Sequence, residues 1–588
     1  MKASLNGLLT WVQHHPVYQE IRDKLRAGVQ LPAYVTMARA RTAIISALIS
    51  DLDQPTLIVT PTAEESQRTI DALQLWIPDT SRLMLFPEPP SLFYERVPWP
   101  PEAITDRLDV MSTLYMHRIG KANREAHPIV VSSIRALMRC TLPYRQFQRA
   151  ARHIAVEDHA SLTELTRHAA GIGYEAVSVV QGPGQFSRRG GLLDIYPPQS
   201  LYPYRLEFFG DVVDTIRTFE PETQRSTGRI KAFWLTPVRE ALPRDSERAL
   251  DALHQLLDSD PPAEVSAVVQ HNLEMLATQV PFPTLEYYLP YLYQEKGSLL
   301  HYCPSNTLII LNDAEHIRSH WHDLEEEGDE QRETALRDKI ILNSAPNPIM
   351  DWKTTQHILD QYLHFDMDIG EQGPLADSFT PENHFAGRLP EALGRIRQWL
   401  NLGDQVVVVS RQASRMAELW QDFNPPPVCE SLPQPPESLL TFVQGVVDGG
   451  WQCHGTDGVR HLITDEELFG WRPPEPRRRR KRRAVAPEYD FSDLNPGDYV
   501  VHEDYGIGVY KGLITLSVDD IDREYLLLEY SAPADREHNE SEHPPENGKN
   551  EVRHDKLYVP IHQADRLTRY VGAEGYAPHL SRLGGGGW

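Results

Sequence analysis

The chain has 588 residues, of which 40% are hydrophobic and 24% charged, and its formal net charge is −25. This length exceeds what one hydrophobic core organises, and the composition excludes a fibrous or wholly disordered chain, so we expect several folded units. The first residues lack the pattern of a secretion signal, and no run reaches the roughly eighteen apolar residues of a membrane span. We therefore predict a cytoplasmic protein without a membrane partner.

The first 143 residues indicate an α/β unit. A strand end near Tyr34 is followed by a turn, an amphipathic helix and a strand from Thr56 to Thr60. This succession predicts a β-α-β unit of a parallel sheet. A further buried strand, Ile129 to Ser132, follows a proline-rich stretch and a helix.

From Arg145 onward the pattern changes to short strands and turns. Strands are predicted at Tyr174 to Val180 and Leu192 to Tyr196, and then a hairpin around Gly210-Asp211. We interpret this stretch as a small α+β insertion, because helical patterns and a buried strand, Thr307 to Leu311, return after it.

A further α/β unit, a linker and a small β-barrel are predicted in the rest of the chain. A strand from Gln405 to Ser410 begins another α/β unit that runs to Trp471. The stretch Arg472 to Pro487 is rich in proline and arginine and predicts a linker. Short strands from Tyr499 to Ile561 predict a small β-barrel, with a polar loop, Ser531 to His554, that we expect to be disordered.

The loop after the first strand is where a nucleotide-binding α/β unit would hold phosphates. Such a loop needs glycines that let backbone N–H groups approach, a lysine, and a Ser or Thr hydroxyl for magnesium. Here the stretch from Thr36 to Thr42 has neither glycine nor lysine, so we predict that it binds no nucleotide. Arg39 and Arg41 either bind another anion or belong to a surface turn in a fold that has lost its ligand, and we favour the turn.

The sequence shows no catalytic or metal-binding motif. Asp313 and Glu315 follow a buried strand as the acidic pair of an NTPase does, but without a phosphate loop we interpret them as ordinary strand-end carboxylates. The histidines fall in no metal or nucleophile motif. The cysteines form no C-x-x-C pair, so we expect reduced thiols, no cofactor and no metal; they are Cys140, Cys303, Cys429 and Cys453.

The segment Gly182 to Pro197 places two arginines, Arg188 and Arg189, before the glycine pair Gly190-Gly191 between two strands. Their guanidinium groups could project from a rigid hairpin toward carboxylates of a partner. The segment could equally be a solvated turn, and the residues alone leave both interpretations open.

These residues also carry a resemblance. Together with Tyr204 to Asp211 and Arg217 to Arg225, the segment Gly182 to Pro197 resembles the UvrA-binding insertion shared by UvrB and the transcription-repair coupling factors. The altered loop at Thr36 to Thr42 favours the coupling factors, because active UvrB keeps an intact phosphate loop. The resemblance implies UvrA as a partner, contacted by Phe186, Arg188 and Arg189.

The predicted barrel strengthens the resemblance. Gly497 to Gly508 and Asp555 to Ile561 resemble the CarD-like RNA polymerase-interacting domain of the coupling factors, which UvrB lacks. In that family the first hairpin docks edge to edge on the RNA polymerase β subunit, since an edge strand offers unpaired N–H and C=O groups. The resemblance implies that this edge comprises Val500, Val501, His502, Glu503, Asp504 and Tyr505. Residues such as Val501 could instead be barrel framework.

A basic run lies in the linker before the barrel. It consists of Arg477, Arg478, Arg479, Arg480, Lys481, Arg482 and Arg483. These side chains could neutralise DNA phosphates or simply keep the linker solvated, and we favour the linker. We expect DNA contact to arise through the full-length protein, and the chain to be a monomer.

The predicted fold class is multidomain α/β and α+β. The resemblance implies a degenerate P-loop-like α/β domain in two parts, an inserted UvrA-binding-type α+β domain, a small α/β domain, a linker, a CarD-like (SH3/Tudor-like) small β-barrel and the start of a connection. The predicted bounds are 1–144 with 223–379, 145–222, 380–471, 472–490, 491–572 and 573–588, respectively.

The function implied by the resemblance is recognition. We predict that the chain binds stalled RNA polymerase and recruits UvrA for nucleotide excision repair. The family continues into an ATP-dependent DNA translocase, which we expect this chain to lack, either as a fragment, which we favour, or as a motorless adaptor. Two alternatives stay open: a UvrB-type damage-verifying ATPase, and a CarD-like transcription regulator with a passive N-terminal region.

Overall fold

The computed structural model describes residues 4–122, 126–420, 426–455, 458–471, 496–502, 506–518, 521–530, 555–560 and 567–569. The chain divides into two compact units, Met1–Arg479 and Arg480–Trp588. In the described residues the first unit contains three six-stranded sheets and a two-stranded one, and the second unit contains a five-stranded sheet. The predicted mixture of α/β and α+β architecture is therefore confirmed at this coarse level.

The first segment of the chain alternates helices and strands. All residues of its two central strands are buried, as a parallel sheet covered on both faces requires. The predicted β-α-β unit is confirmed. The elements are α1 (Leu9–Gln13), α2 (Pro16–Arg26), β1 (Tyr34–Thr36), α3 (Ala38–Leu52), β2 (Thr56–Thr60), α4 (Ala63–Trp76), β3 (Leu83–Phe86), α5 (Pro101–Arg118), β4 (Ile129–Ser133) and α6 (Ile134–Met138).

An antiparallel segment follows, which we call the inserted module. Its elements are α7 (Tyr144–Ala150), β5 (Arg152–Ala155), α8 (Leu162–Gly171), β6 (Glu175–Ala176), β7 (Gln185–Arg189), β8 (Leu192–Ile195), β9 (Tyr204–Phe209), β10 (Val212–Phe219), β11 (Ser226–Ile230) and β12 (Ala232–Leu235). The sheet order is β11-β10-β9-β8-β7-β6, and β12 returns to pair with β5. The module thus closes on itself beyond residue 222, where the sequence predicts its end.

The chain then returns to the first sheet. The elements are α9 (Glu247–Asp258), α10 (Ala263–Ala277), α11 (Leu289–Leu292), β13 (Leu308–Asn312), α12 (Ala314–Arg337), α13 (Trp352–Leu359) and β14 (Leu363–Ile369). Strands β13 and β14 complete a parallel sheet in the order β1-β14-β13-β2-β4-β3, which we call the first module. The carboxyl ends of its strands meet at one edge, where open α/β sheets usually take their ligands.

A further sheet, with both parallel and antiparallel strand pairs, forms what we call the third module. It packs against the first module. Its elements are α14 (Pro374–Ser378), β15 (Phe379–Pro381), α15 (Leu389–Leu402), β16 (Gln405–Ser410), α16 (Ala413–Leu419), β17 (Val428–Cys429), β18 (Leu440–Gln444), β19 (Trp451–Gly455), β20 (Gly458–Thr464) and α17 (Asp465–Phe469). The strand order is β15-β19-β20-β16-β18-β17. Val407 and Leu462 of this sheet share a buried cluster with Ala43 and Ile58 of the first module, so the two modules have a common apolar core.

The second unit is a five-stranded antiparallel sheet. Its strands are β21 (Tyr499–His502), β22 (Gly506–Val518), β23 (Ile521–Tyr530), β24 (Asp555–Pro560) and β25 (Leu567–Arg569), in the order β24-β23-β22-β21-β25. Buried Val500, Leu526, Leu528 and Val559 form its core. The strands predicted here are confirmed, whereas the loop Ser531 to His554 lies outside the described residues.

Candidate functional site

The predicted arginine hairpin is formed by β7 and β8. Arg189 pairs with Leu192, and a two-residue turn, Gly190-Gly191, joins the strands. Gly190 has φ of 59°, a conformation that a residue with a Cβ adopts at a cost, so glycine suits this position. The turn is tight, and the exposed end of the hairpin is held in one orientation.

The three side chains predicted to contact UvrA differ in their surroundings. Arg189 is exposed, and its guanidinium has no hydrogen-bond or ion-pair partner within the described part of the chain. Arg188 is also exposed, but its Nη1 donates to Thr163 Oγ1 of α8 at 3.3 Å. Phe186 is only 6% exposed and belongs to the main apolar core. The prediction for Phe186 is therefore corrected: its ring stabilises the hairpin from inside and is not available to a partner.

A second hairpin, β9–β10, brings another residue to the same place. Its turn lies at the same end of the sheet as Gly190-Gly191, because Leu192 pairs with Glu207 and the Phe208 N–H donates to the Gly191 carbonyl at 3.0 Å. Phe209 is 83% exposed at this end. Phe209 is not among the site residues predicted from the sequence, although side chains alternate along a strand and one of two successive aromatic residues must therefore face outward.

Charged side chains form cross-strand pairs on the adjoining strands. Arg205 donates two hydrogen bonds to the Asp194 carboxylate, at 2.7 and 2.9 Å. Glu207 accepts from Thr215 Oγ1 at 2.8 Å and from Arg217 Nη2 at 3.2 Å. Each of these charged side chains thus has an oppositely charged partner within the sheet, in contrast to Arg189.

The stretch at the predicted nucleotide loop is helical. Thr36 ends β1, and α3 begins at Ala38, so Arg39, Arg41 and Thr42 lie in the first turns of a helix. The interpretation of this stretch as a surface turn is therefore corrected: without glycine, and with alanine at alternate positions, it continues directly into α3. Arg39 donates to carboxylates of the third module.

Arg41 points among carboxylates. Its Nε and Nη1 are buried without a hydrogen-bond partner among the described atoms. Burial lowers the pKa of its guanidinium, and the nearby carboxylates of Asp313, Glu65 and Asp368 oppose that shift. Asp313 has a left-handed φ of 85° at the start of α12. Asp313, the carboxylate that follows β13, thus lies near Arg41 of the same module.

The predicted polymerase-binding strand lies inside its sheet. β21 pairs with β22 on one side and with β25 on the other, so Val500, Val501 and His502 are not at an edge. Val500 is also fully buried. The prediction that β21 offers unpaired backbone groups is therefore corrected: within the described sheet the outer strands are β24 and β25.

Several predicted site residues lie outside the described residues. They are Glu503, Asp504 and Tyr505, and the basic run from Arg477 to Arg483.

The described residues contain neither a metal-binding cluster nor a helix suited to crossing a membrane. Across the ranges that the structure describes, no group of three His, Cys, Asp or Glu side chains is placed to hold a metal ion. No described helix has the length and apolar character needed to cross a membrane. The four cysteines are free thiols, and Cys429 is the most accessible of them.

Two family models match the chain. The UvrB interaction domain matches residues 153–240, which covers the inserted module from β5 to β12. The CarD-like/TRCF RID domain matches residues 494–536, which includes β21, β22 and β23. The chain therefore carries a UvrB interaction domain followed by a CarD-like domain.

Curated relatives extend this similarity along the chain. A transcription-repair-coupling factor of Bacillus subtilis is 28% identical over all of this chain and 48% of its own length. Proteins of the same name from Myxococcus xanthus and Mycobacterium bovis are 26% and 27% identical over 97% and 99% of this chain. The resemblance to the transcription-repair coupling factors is thus confirmed, and the chain spans about half the length of the curated relatives it matches.

Proposed function

We propose that this chain is the recognition portion of a transcription-repair coupling system, which holds RNA polymerase through its CarD-like domain and recruits UvrA through its inserted module. The observation that carries the proposal is the presence of both domains in one chain. The proposal also includes a cytoplasmic location, a monomeric chain and DNA contact that arises through the full-length protein, with the basic run as a linker.

The exposed end of the inserted module suits a protein partner. Arginine and large aromatic side chains contribute most of the binding energy in protein interfaces. Arg189 presents a guanidinium that forms no internal ion pair among the described residues, and Phe209 presents an exposed ring at the same end of the sheet. We propose that UvrA contacts both side chains, with Arg189 meeting a carboxylate and Phe209 entering an apolar pocket.

Arg189→Ala and Phe209→Ala test this site. We expect each variant to weaken UvrA binding about five- to thirtyfold, since central interface residues contribute about 1–2 kcal/mol. Arg225→Ala is the matched control, because Arg225 is exposed in the β10–β11 turn at the other end of the sheet. Titration calorimetry with purified UvrA measures the affinities. Unchanged affinity in both test variants would disprove the site.

RNA polymerase binding should use an outer strand of the CarD-like domain. Strand addition requires unpaired backbone groups, and in the described sheet β24 and β25 are the outer strands. We propose that the polymerase β subunit pairs with one of them. Lys556→Pro in β24 and Thr568→Pro in β25 remove one N–H each, and pull-down of polymerase should fail for the strand that pairs. Retained binding by both variants would rule out strand addition, and circular dichroism checks that each domain remains folded.

We also propose that the first module functions without nucleotide. Arg39 and Arg41 both face internal carboxylates, and the backbone that would surround phosphates is helical. Calorimetry with magnesium and ATP should detect no binding to the chain. Micromolar binding would instead support the UvrB-type ATPase.

A further inference from the structure

Arg39 joins the first module to the third. Its Nη2 donates to Glu466 Oε1 at 2.7 Å, and its Nη1 donates to Glu467 Oε1 at 2.9 Å. The Glu467 side chain is fully buried and that of Glu466 is 7% exposed, whereas that of Arg39 is 25% exposed. One guanidinium thus bridges two nearly buried carboxylates across the module boundary.

The third module holds Glu467 in position for this contact. Its other oxygen, Oε2, accepts from the Thr464 hydroxyl at 2.7 Å, from the Thr464 N–H at 3.0 Å and from the Gly450 N–H at 2.9 Å. Thr464 is also the N-cap of α17 and forms a capping box with Glu467. Glu467 therefore uses one oxygen within its own module and the other for Arg39.

The neighbouring glycines leave room for the guanidinium. A Cβ on Gly449 would lie 2.4 Å from Arg39 Nε, and Gly449 has a left-handed φ of 73°. A Cβ on Gly450 would lie 2.2 Å from the Leu462 carbonyl oxygen. Any larger residue at either position would displace Arg39 or the strand beneath it.

We infer that Arg39, Glu466 and Glu467 form a latch that fixes the third module, without a nucleotide, on the edge of the first sheet where the carboxyl ends of its strands meet. A phosphate ligand that joined two such modules would release them each time it dissociated. Arg39 is instead part of the chain itself, and removing it would leave the buried Glu467 charge without its partner. This inference goes beyond the proposed recruitment of UvrA and polymerase, and it does not depend on either partner.

Hydrogen exchange of the full chain, followed by mass spectrometry, tests the latch. We expect Arg39→Gln to accelerate exchange of amides in β20, α17 and the β18–β19 connection at least tenfold, while the inserted module exchanges as in the wild type. Arg39→Lys should give an intermediate effect, because lysine keeps the charge but cannot form the two-pronged contact. Arg68→Gln is the control, since Arg68 pairs with Glu64 on the exposed face of α4 and should change nothing.

A double variant separates the latch from general destabilisation. If Arg39 acts through Glu466, then Arg39→Gln with Glu466→Gln should exchange no faster than Arg39→Gln alone. Additive effects, or exchange within twofold of wild type in Arg39→Gln, would overturn the inference. Should Arg39→Gln unfold the whole first unit, the same comparison is made with Arg39→Lys, and it decides the matter in the same way.

Discussion

Glu240→Gln should loosen the attachment of the inserted module to the first module. Glu240 follows β12, and its carboxylate pairs with Arg107 of α5; both side chains are fully buried. Arg107 Nη2 donates to Glu240 Oε2 at 3.2 Å, and Nη1 donates to the Pro87 carbonyl at 3.0 Å. The guanidinium also lies 4.0 Å from the centre of the Phe86 ring. The ion pair thus has no access to water that could replace a lost partner.

A second buried arginine, Arg139, increases the expected loss in the free energy of unfolding. Burial, together with the charge of Arg107, lowers the pKa of Arg139 to about 10, and the Glu240 carboxylate is one of the groups that oppose this shift. Removing that carboxylate leaves two buried guanidinium groups with less compensation. Breaking a buried pair on one side costs about 3–5 kcal/mol, and we expect about 3 kcal/mol because glutamine keeps a hydrogen-bond acceptor.

Native-state hydrogen exchange measures this effect. A cost of about 3 kcal/mol should raise the opening equilibrium of α5 and β12 amides on the order of 10²-fold. Glu295→Gln is the control, because Glu295 pairs with Arg145 on the surface and such pairs contribute about 0–1 kcal/mol. Exchange in Glu240→Gln that matched this control would refute the view that the buried charge pair fastens the two modules.

Three further outcomes are expected. Burial raises the pKa of Glu286 to about 7, against the opposing charge of Arg239, so the folded chain holds a proton that the unfolded chain releases near 4.5. Glu286 therefore lowers the free energy of unfolding as pH rises from 4.5 to 7, and Glu286→Gln should remove this contribution when the two chains are compared by urea titration across that range. Gly297→Ala should destabilise the first unit by about 1–3 kcal/mol in the same titrations, because its Cβ would lie 2.2 Å from the Thr141 carbonyl oxygen. Iodoacetamide should alkylate Cys429 in the native chain long before the three buried cysteines, whose thiol pKa values burial raises to about 11 or 12, and equal rates by mass spectrometry would contradict the structure.

The local pattern of apolar residues was sufficient to predict a strand that is buried on both faces of its sheet. The apolar run of β16 predicts its bounds, Gln405–Ser410, as the structure has them. β14, Leu363–Ile369, was missed because acidic residues interrupt its apolar pattern. The strand predicted from Tyr174 to Val180 is only two residues long, Glu175–Ala176, because the chain leaves the sheet after Ala176.

Long-range pairing could not be read from the sequence. The position of β21 inside its sheet depends on β25, which lies far along the chain and whose three residues carry no strong strand pattern. Arg39 contacts Glu467 across 428 positions of sequence, and neither residue signals the other. Phe186 and Phe209 are both aromatic residues in strands, and only the packing of the sheet shows which of them is buried.

The order of strands in the first sheet has a consequence for synthesis on the ribosome. β2 and β13 are neighbours in the sheet, yet the whole inserted module lies between them in the chain. While the inserted module is being translated, β2 has no partner on the side that β13 will occupy, and its backbone N–H and C=O groups on that edge stay unpaired. Truncated or slowly translated chains that end before Leu308 should therefore aggregate or bind chaperones, whereas chains that extend past Ile369 can complete the sheet.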